Sequence, residues 1–163
     1  MSGTPGPESF AGVATPDFAI ANVTVVVGFD YGARRIGVAL GNRISSSARA
    51  LGVVDNGATG PDWLRVTALL REWRPDALLV GLPLTLDSGE QDTSRAARAF
   101  AAELHARANL PIALVDERLT SREAAQRFAA RRASGNARRK DAANLDAIAA
   151  EVIVEQWLRA NPR

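Results

Sequence analysis

The sequence predicts an α/β domain: a mixed sheet of five strands, in which an antiparallel meander lies beside parallel strands, with helices on both faces. Three observations lead there. Apolar runs, the first largely β-branched, follow one another with short connections over residues 23–30, 35–42 and 48–55. After Gly60-Pro61, apolar residues recur three and four apart instead. Between helix-like stretches stands ALLVGLP, residues 77–83, a short all-apolar run bounded by proline and glycine. The first pattern marks a meander, the second helices, and the third a strand buried on both faces.

Order is expected to begin near Val23, since residues 1–22, rich in Gly, Pro, Ser and Thr, read as a flexible extension outside the fold. VTVVVGFD is the first strand, a glycine-containing turn leads to RIGVALGN, and ARALGVVD follows the polar stretch NRISSS. In WLRVTALLREW, Trp63, Val66, Leu70 and Trp73 form a helical stripe that stops before Pro75. A second helix is expected from about Glu90 to Ala108, a strand over Ile112 to Val115, a helix after Thr120, and a last helix from about Asn144 to Arg159. The order βββαβαβαα has no internal repeat, so residues 23–160 form one domain.

Composition excludes several chemistries. With no cysteine there is no disulfide framework, thiolate zinc site or cysteine nucleophile. The lone histidine, His105, sits in the helical run ARAFAAELHARANL and reads as a solvated surface residue, which removes Ser-His-Asp and multi-histidine zinc sites. No apolar run approaches the roughly 20 residues that span a bilayer, and Met1 is followed by SGTPGPESF rather than a signal segment, so a cytoplasmic protein is expected. Of the 20 basic residues all but Lys140 are Arg. Residues 1–22 hold two acids and no base, leaving 20 basic against 16 acidic residues, or +4, on the remainder.

Three carboxylates stand where decoration is a poor explanation. Asp30 ends an apolar strand, Glu117 follows another in IALVDERLT, and Asp146 falls among Ala149, Ala150, Ile153 and Trp157 on the apolar side of the last helix. If the two strands lie side by side and the helix packs across them, the acids converge on an oxygen-rich site suited to Mg²⁺ or Mn²⁺. Such a site supports in-line phosphodiester hydrolysis. Plainer readings stay open: Asp30 as an acceptor of turn hydrogen bonds, Glu117 as a partner of Arg118 or Arg122, and Asp146 as an acid in the first turn of its helix.

Around these acids, Arg34 and Arg35 at the first hairpin turn and Arg118 beside Glu117 are candidate phosphate contacts. Residues 127–140, RFAARRASGNARRK, carry six basic residues and no acid. Arg131, Arg132, Arg138, Arg139 and Lys140 there are either a solvated surface or contacts to a nucleic-acid backbone. Gly32 and Gly37 read as turn residues or as places where backbone approaches substrate. Asp87, Ser88 and Gly89 read as a helix cap or a phosphate-holding loop.

GFDYGARRIGVALGN, LLVGLPLTLDSGEQDTSRAARAFAAEL, VDERLTSREA and NLDAIAAEVIVEQWL resemble, in order and spacing, the signature segments of the YqgF/RuvX family over residues 23–160. The resemblance implies an RNase H-like fold akin to RuvC Holliday-junction resolvases. It also implies a nuclease that resolves junctions or matures the 5′ end of pre-16S rRNA. Asp30, Glu117 and Asp146 match the family's three acids. RuvC-type resolvases carry a fourth carboxylate one helical turn from the third, where this chain has Ala143 and Ala149.

The partners expected are structured RNA or branched DNA, with a homodimer required for symmetric junction cutting. Two other readings stand beside the nuclease. One is a non-catalytic rRNA-binding module. The other is a nucleotide-binding domain of the actin-like ATPase superfold, which shares the strand-turn DYGARR but clasps nucleotide between two domains.

Overall fold

A computed structural model of the chain describes residues 20–82, 92–116 and 141–163, together with Gln126. A 3-10 turn at Ile20–Asn22 leads into β1, Val25–Asp30. There follow β2 (Arg35–Asn42), β3 (Ser47–Gly57), β4 (Gly60–Pro61), α1 (Trp63–Trp73), β5 (Ala77–Leu82), α2 (Asp92–Ala108), β6 (Ile112–Asp116) and α3 (Asp141–Ala160). Residues 1–19 of the extension expected over 1–22, the expected loop with Asp87, Ser88 and Gly89, the helix expected after Thr120 and the basic segment lie outside the described residues.

The strands form one sheet in the order β4-β3-β2-β1-β5-β6. β1 lies at its centre, antiparallel to β2 and parallel to β5, and β5 is parallel to β6, so the strand ending at Asp30 and the strand before Glu117 are not adjacent as expected but have β5 between them. This is the mixed α/β sheet expected, with six strands rather than five. The sixth is the two-residue β4, which no hydrophobic period can signal. It arises because β3 runs on to Gly57 and Gly60, at φ 93°, turns the chain back so that Gly60 and Pro61 pair with Gly57 and Asn56.

Local chemistry sets the element ends. Asp62 caps α1 by accepting a hydrogen bond from the Arg65 amide at 3.2 Å. The helix ends at Arg74, which turns left-handed (φ 49°, ψ 59°) and donates its amide to the Leu70 carbonyl ahead of Pro75. Asp76 then accepts from the Thr24 and Val25 amides at 2.9 Å each, joining the start of β5 to the start of β1. His105 departs from the solvated position expected of it. It is half-buried, and its Nδ1 donates to the Leu110 carbonyl at 2.8 Å, closing the turn after α2.

Side chains alternate between the two faces of the sheet. Val27, Phe29, Val38, Val80 and Leu114 meet α1 and α2 through Val66, Phe100 and Leu104. Val26, Ala39, Leu79 and Ala113 meet α3 through Ala150, Val154 and Trp157. Among the described residues no helix is long and apolar enough to cross a membrane.

The α3 face is unusually flat because β1 and β2 present glycine there. A Cβ on Gly37 would lie 2.5 Å from the carbonyl carbon of Asp146 and 3.1 Å from the amide of Ala147. A Cβ on Gly28 would lie 2.5 Å from a Val154 methyl, and one on Gly41 would also strike Val154. Gly37 is therefore neither a turn residue nor a backbone approach to substrate, as the sequence alone allowed, but the seat of a helix backbone. The spacing is self-consistent: eight helical residues from 146 to 154 rise ~12 Å, and four strand residues from 37 to 41 span ~13 Å. α3 thus runs alongside β2, with its early turns over the end of β1.

Candidate active site

Asp30 is the last residue of the central strand and is half-buried. By alternation from Val26 and Gly28 its side chain belongs to the α3 face. Its strand neighbours are Gly37 on β2 and Gly81 on β5. Neither adds a side chain, so the carboxylate stands in a gap at the carboxyl end of the parallel strands, where ligands of such sheets bind.

Asp146 is brought over this gap by the seating of α3, since its main chain rests on Gly37, the residue paired with Asp30. One cross-strand spacing, ~5 Å between Cβ positions, separates the two strand sites. α3 is helical from Asp141, so Asp146 lies in the second turn rather than the first, and attraction to the helix N-terminus falls off within the first turn. Its partner is instead a cation. Arg35 Nε donates to Asp146 Oδ2 at 2.8 Å, and the two side chains are 36% and 30% exposed.

Arg35 opens β2, and the turn before it is braced from β3. Asn56, 3% exposed, donates its side-chain amide to the Gly32 carbonyl at 2.7 Å, and its backbone amide donates to the Arg34 carbonyl at 2.8 Å. Sequence reading ended the third strand at Asp55 and overlooked Asn56, although a polar residue closing an apolar strand was the available signal. Arg34 is exposed beside this braced turn. The Arg35 link to Asp146, 111 residues apart, has no local signature at all.

On β6, Ala113 packs on the α3 face with Val115 against it, whereas Ile112 and Leu114 belong to the other core. Asp116 ends the strand in register with Leu82, and alternation turns it away from α3. Glu117, Arg118 and the basic residues Arg131, Arg132, Arg138, Arg139 and Lys140 lie outside the described residues. Among the described residues no three His, Asp or Glu side chains gather closely enough to hold a metal. Two carboxylates, Asp30 at the end of β1 and Asp146 in its ion pair with Arg35, thus lie toward the same end of the sheet; carboxylate oxygens are the ligand type that Mg²⁺ and Mn²⁺ prefer.

A family model described as "RuvX: Holliday junction resolvase" matches residues 24–160. A protein of Xanthomonas campestris pv. campestris strain 8004 named "Putative pre-16S rRNA nuclease" is 52% identical over 150 residues, covering 92% of this chain and 93% of its own. A protein of the same name from Xanthomonas axonopodis pv. citri is 51% identical with the same coverage. Among solved structures, that of Thermus thermophilus RuvC superimposes with a TM-score of 0.50 at 18% identity, covering 84% of this chain and 96% of that one. The fold is therefore that of the RuvC-like, RNase H-like proteins, and with the family model spanning residues 24–160 of 163, this protein belongs to the RuvX family.

Proposed function

We propose that the domain at residues 23–160 is a divalent-metal-dependent endonuclease, acting in the cytoplasm on structured nucleic acid. The 5′ end of pre-16S rRNA is its first substrate, and Holliday junctions, cut by a homodimer, are the second. The observation that carries the reading is Asp30 at the end of the central strand, flanked by two glycines, with the turn of Asp146 seated on one of them. The substrates follow from the family and from the names of its relatives.

Asp30, Glu117 and Asp146 are the residues that hold the metal, Mg²⁺ or Mn²⁺. The bound metal supplies an activated water and charge relief at the leaving oxygen. The chain's own contribution is placement. A strand end in the middle of a sheet fixes Asp30, and the buried contact with Gly37 fixes Asp146, so neither carboxylate spends much entropy on adopting its position. Arg34, Arg35, Arg118 and the basic residues of the 127–140 segment contact phosphates without reading bases.

A second reading, an rRNA-binding module that does not cut, draws on the Arg35–Asp146 ion pair, which already occupies one carboxylate. One experiment separates the two. Purified protein is offered a pre-16S rRNA 5′ leader and a four-way DNA junction with Mn²⁺, and the released ends are mapped. Discrete cuts lost in EDTA support the nuclease; tight binding with no cut product supports the module.

A further inference from the structure

We propose that Arg35 is a built-in counter-cation for Asp146, occupying its carboxylate until a divalent cation displaces it, so that the ion pair and cation binding are alternative states. The inference rests on the reading of Asp146 as a cation ligand. Three observations carry it. The contact is a charge-assisted hydrogen bond of 2.8 Å from Nε to Oδ2, between elements 111 residues apart in the chain. Both backbones are held, Asp146 by its seat on Gly37 and the Arg35 turn by the two hydrogen bonds from Asn56. Both side chains are about one third exposed, at 36% and 30%, so the groups that can move are side chains with access to water.

The electrostatics then oppose simultaneous occupancy. A divalent cation on Oδ2 would sit within about 4 Å of the guanidinium, a strongly repulsive separation outside bulk water. In the cation-free protein the pair neutralises the Asp146 carboxylate. Once displaced, the guanidinium becomes a free positive group at the edge of the site, placed for a substrate phosphate. Arg35 is thus a counter-ion in one state and a phosphate contact in the other.

Mn²⁺ affinity measured by calorimetry, alongside melting temperature in EDTA and in Mn²⁺, tests this without nucleic acid. Arg35→Gln should bind Mn²⁺ about two- to fivefold more tightly than the parent, the factor expected from removing one partly exposed ion pair. It should melt lower in EDTA and gain more from Mn²⁺. Arg35→Lys, whose compact ammonium is more strongly hydrated, should shift affinity in the same direction by a smaller factor, and carries the test should the Gln variant not fold. In an Asp146→Asn background, Arg35→Gln should leave Mn²⁺ affinity unchanged. Equal or weaker Mn²⁺ binding by Arg35→Gln overturns the proposal, because Arg35 would then be a bystander or an orienter of Asp146. The metal-site reading survives that result provided Asp146→Asn loses affinity. Parental affinity in Asp146→Asn, or no Mn²⁺ binding by the parent, overturns both.

Discussion

Gly37→Ala is the sharpest probe of how the fold builds the site. The added Cβ would lie 2.5 Å from the Asp146 carbonyl carbon, against an ordinary carbon–carbon separation of ~3.5 to 4 Å, so α3 must lift by ~1 Å. The obstruction is helix backbone, which has no rotamer in which to escape. Overpacking of this kind costs ~3 kcal/mol, which for a chain of this length lowers the melting temperature by ~6 to 12 °C. A misplacement of ~1 Å at a reacting group costs ~100-fold in rate. Gly41→Ala is the control. Its Cβ meets side-chain methyls of Val154 and Val26 rather than backbone, eight residues further along α3 from Asp146. It should lose stability yet keep single-turnover cleavage within a few-fold of the parent. Melting curves and single-turnover cleavage in Mn²⁺ at 25 °C check both variants. A Gly37→Ala protein that melts within 2 °C of the parent and cuts at a similar rate would show that the helix seat does not set the position of Asp146.

Other consequences are separately measurable. Asp30→Asn, nearly isosteric but uncharged, should keep its circular dichroism and lose at least ~100-fold in cleavage; parental activity from the folded variant would displace Asp30 from the site. Asp76→Ala removes the acceptor of two backbone amides at the start of β1 and should cost ~1 to 3 kcal/mol in urea unfolding, without altering Mn²⁺ affinity. Replacing Arg131, Arg132, Arg138, Arg139 and Lys140 by Gln should flatten the slope of log K against log salt by several units, at ~0.7 to 0.9 per lost phosphate contact. An unchanged slope would mark those five residues as solvated surface.

Much of the sheet was legible because its elements differ in period. β-branching located β1, apolar runs set off by a glycine-containing turn and a polar stretch located β2 and β3, and a three-and-four stripe located α1 to the residue. Where the period gave out, so did the reading. β4 is too short to carry one, and α3 begins at Asp141, three residues ahead of the expected Asn144, because Asp-Ala-Ala has no apolar contrast to mark a helix start. An all-apolar strand also hides which of its faces is which. VVVGFD reads the same from either side, yet only one side meets α3.

The clue to that face lay in the residues with no side chain. Gly37 and Gly41 share one face of β2, and Gly28 shares it on β1, a register of gaps that fits a helix lying close along the strands. Asp30 falls in phase with those gaps, which is why a carboxylate at that position faces a helix rather than open solvent or the aromatic core around Phe29 and Phe100. Asp146, on the apolar stripe of the last helix, needs a cation, because burial of an unpaired charge is expensive, a requirement already legible in the sequence. It does not say which cation. The Arg35–Asp146 pair supplies one from within the chain, joining residues whose separation hides them from any local pattern. Asp30 and Asp146 can therefore be singled out from the sequence as candidates, whereas the pairing of Asp146 with Arg35 follows only from the fold.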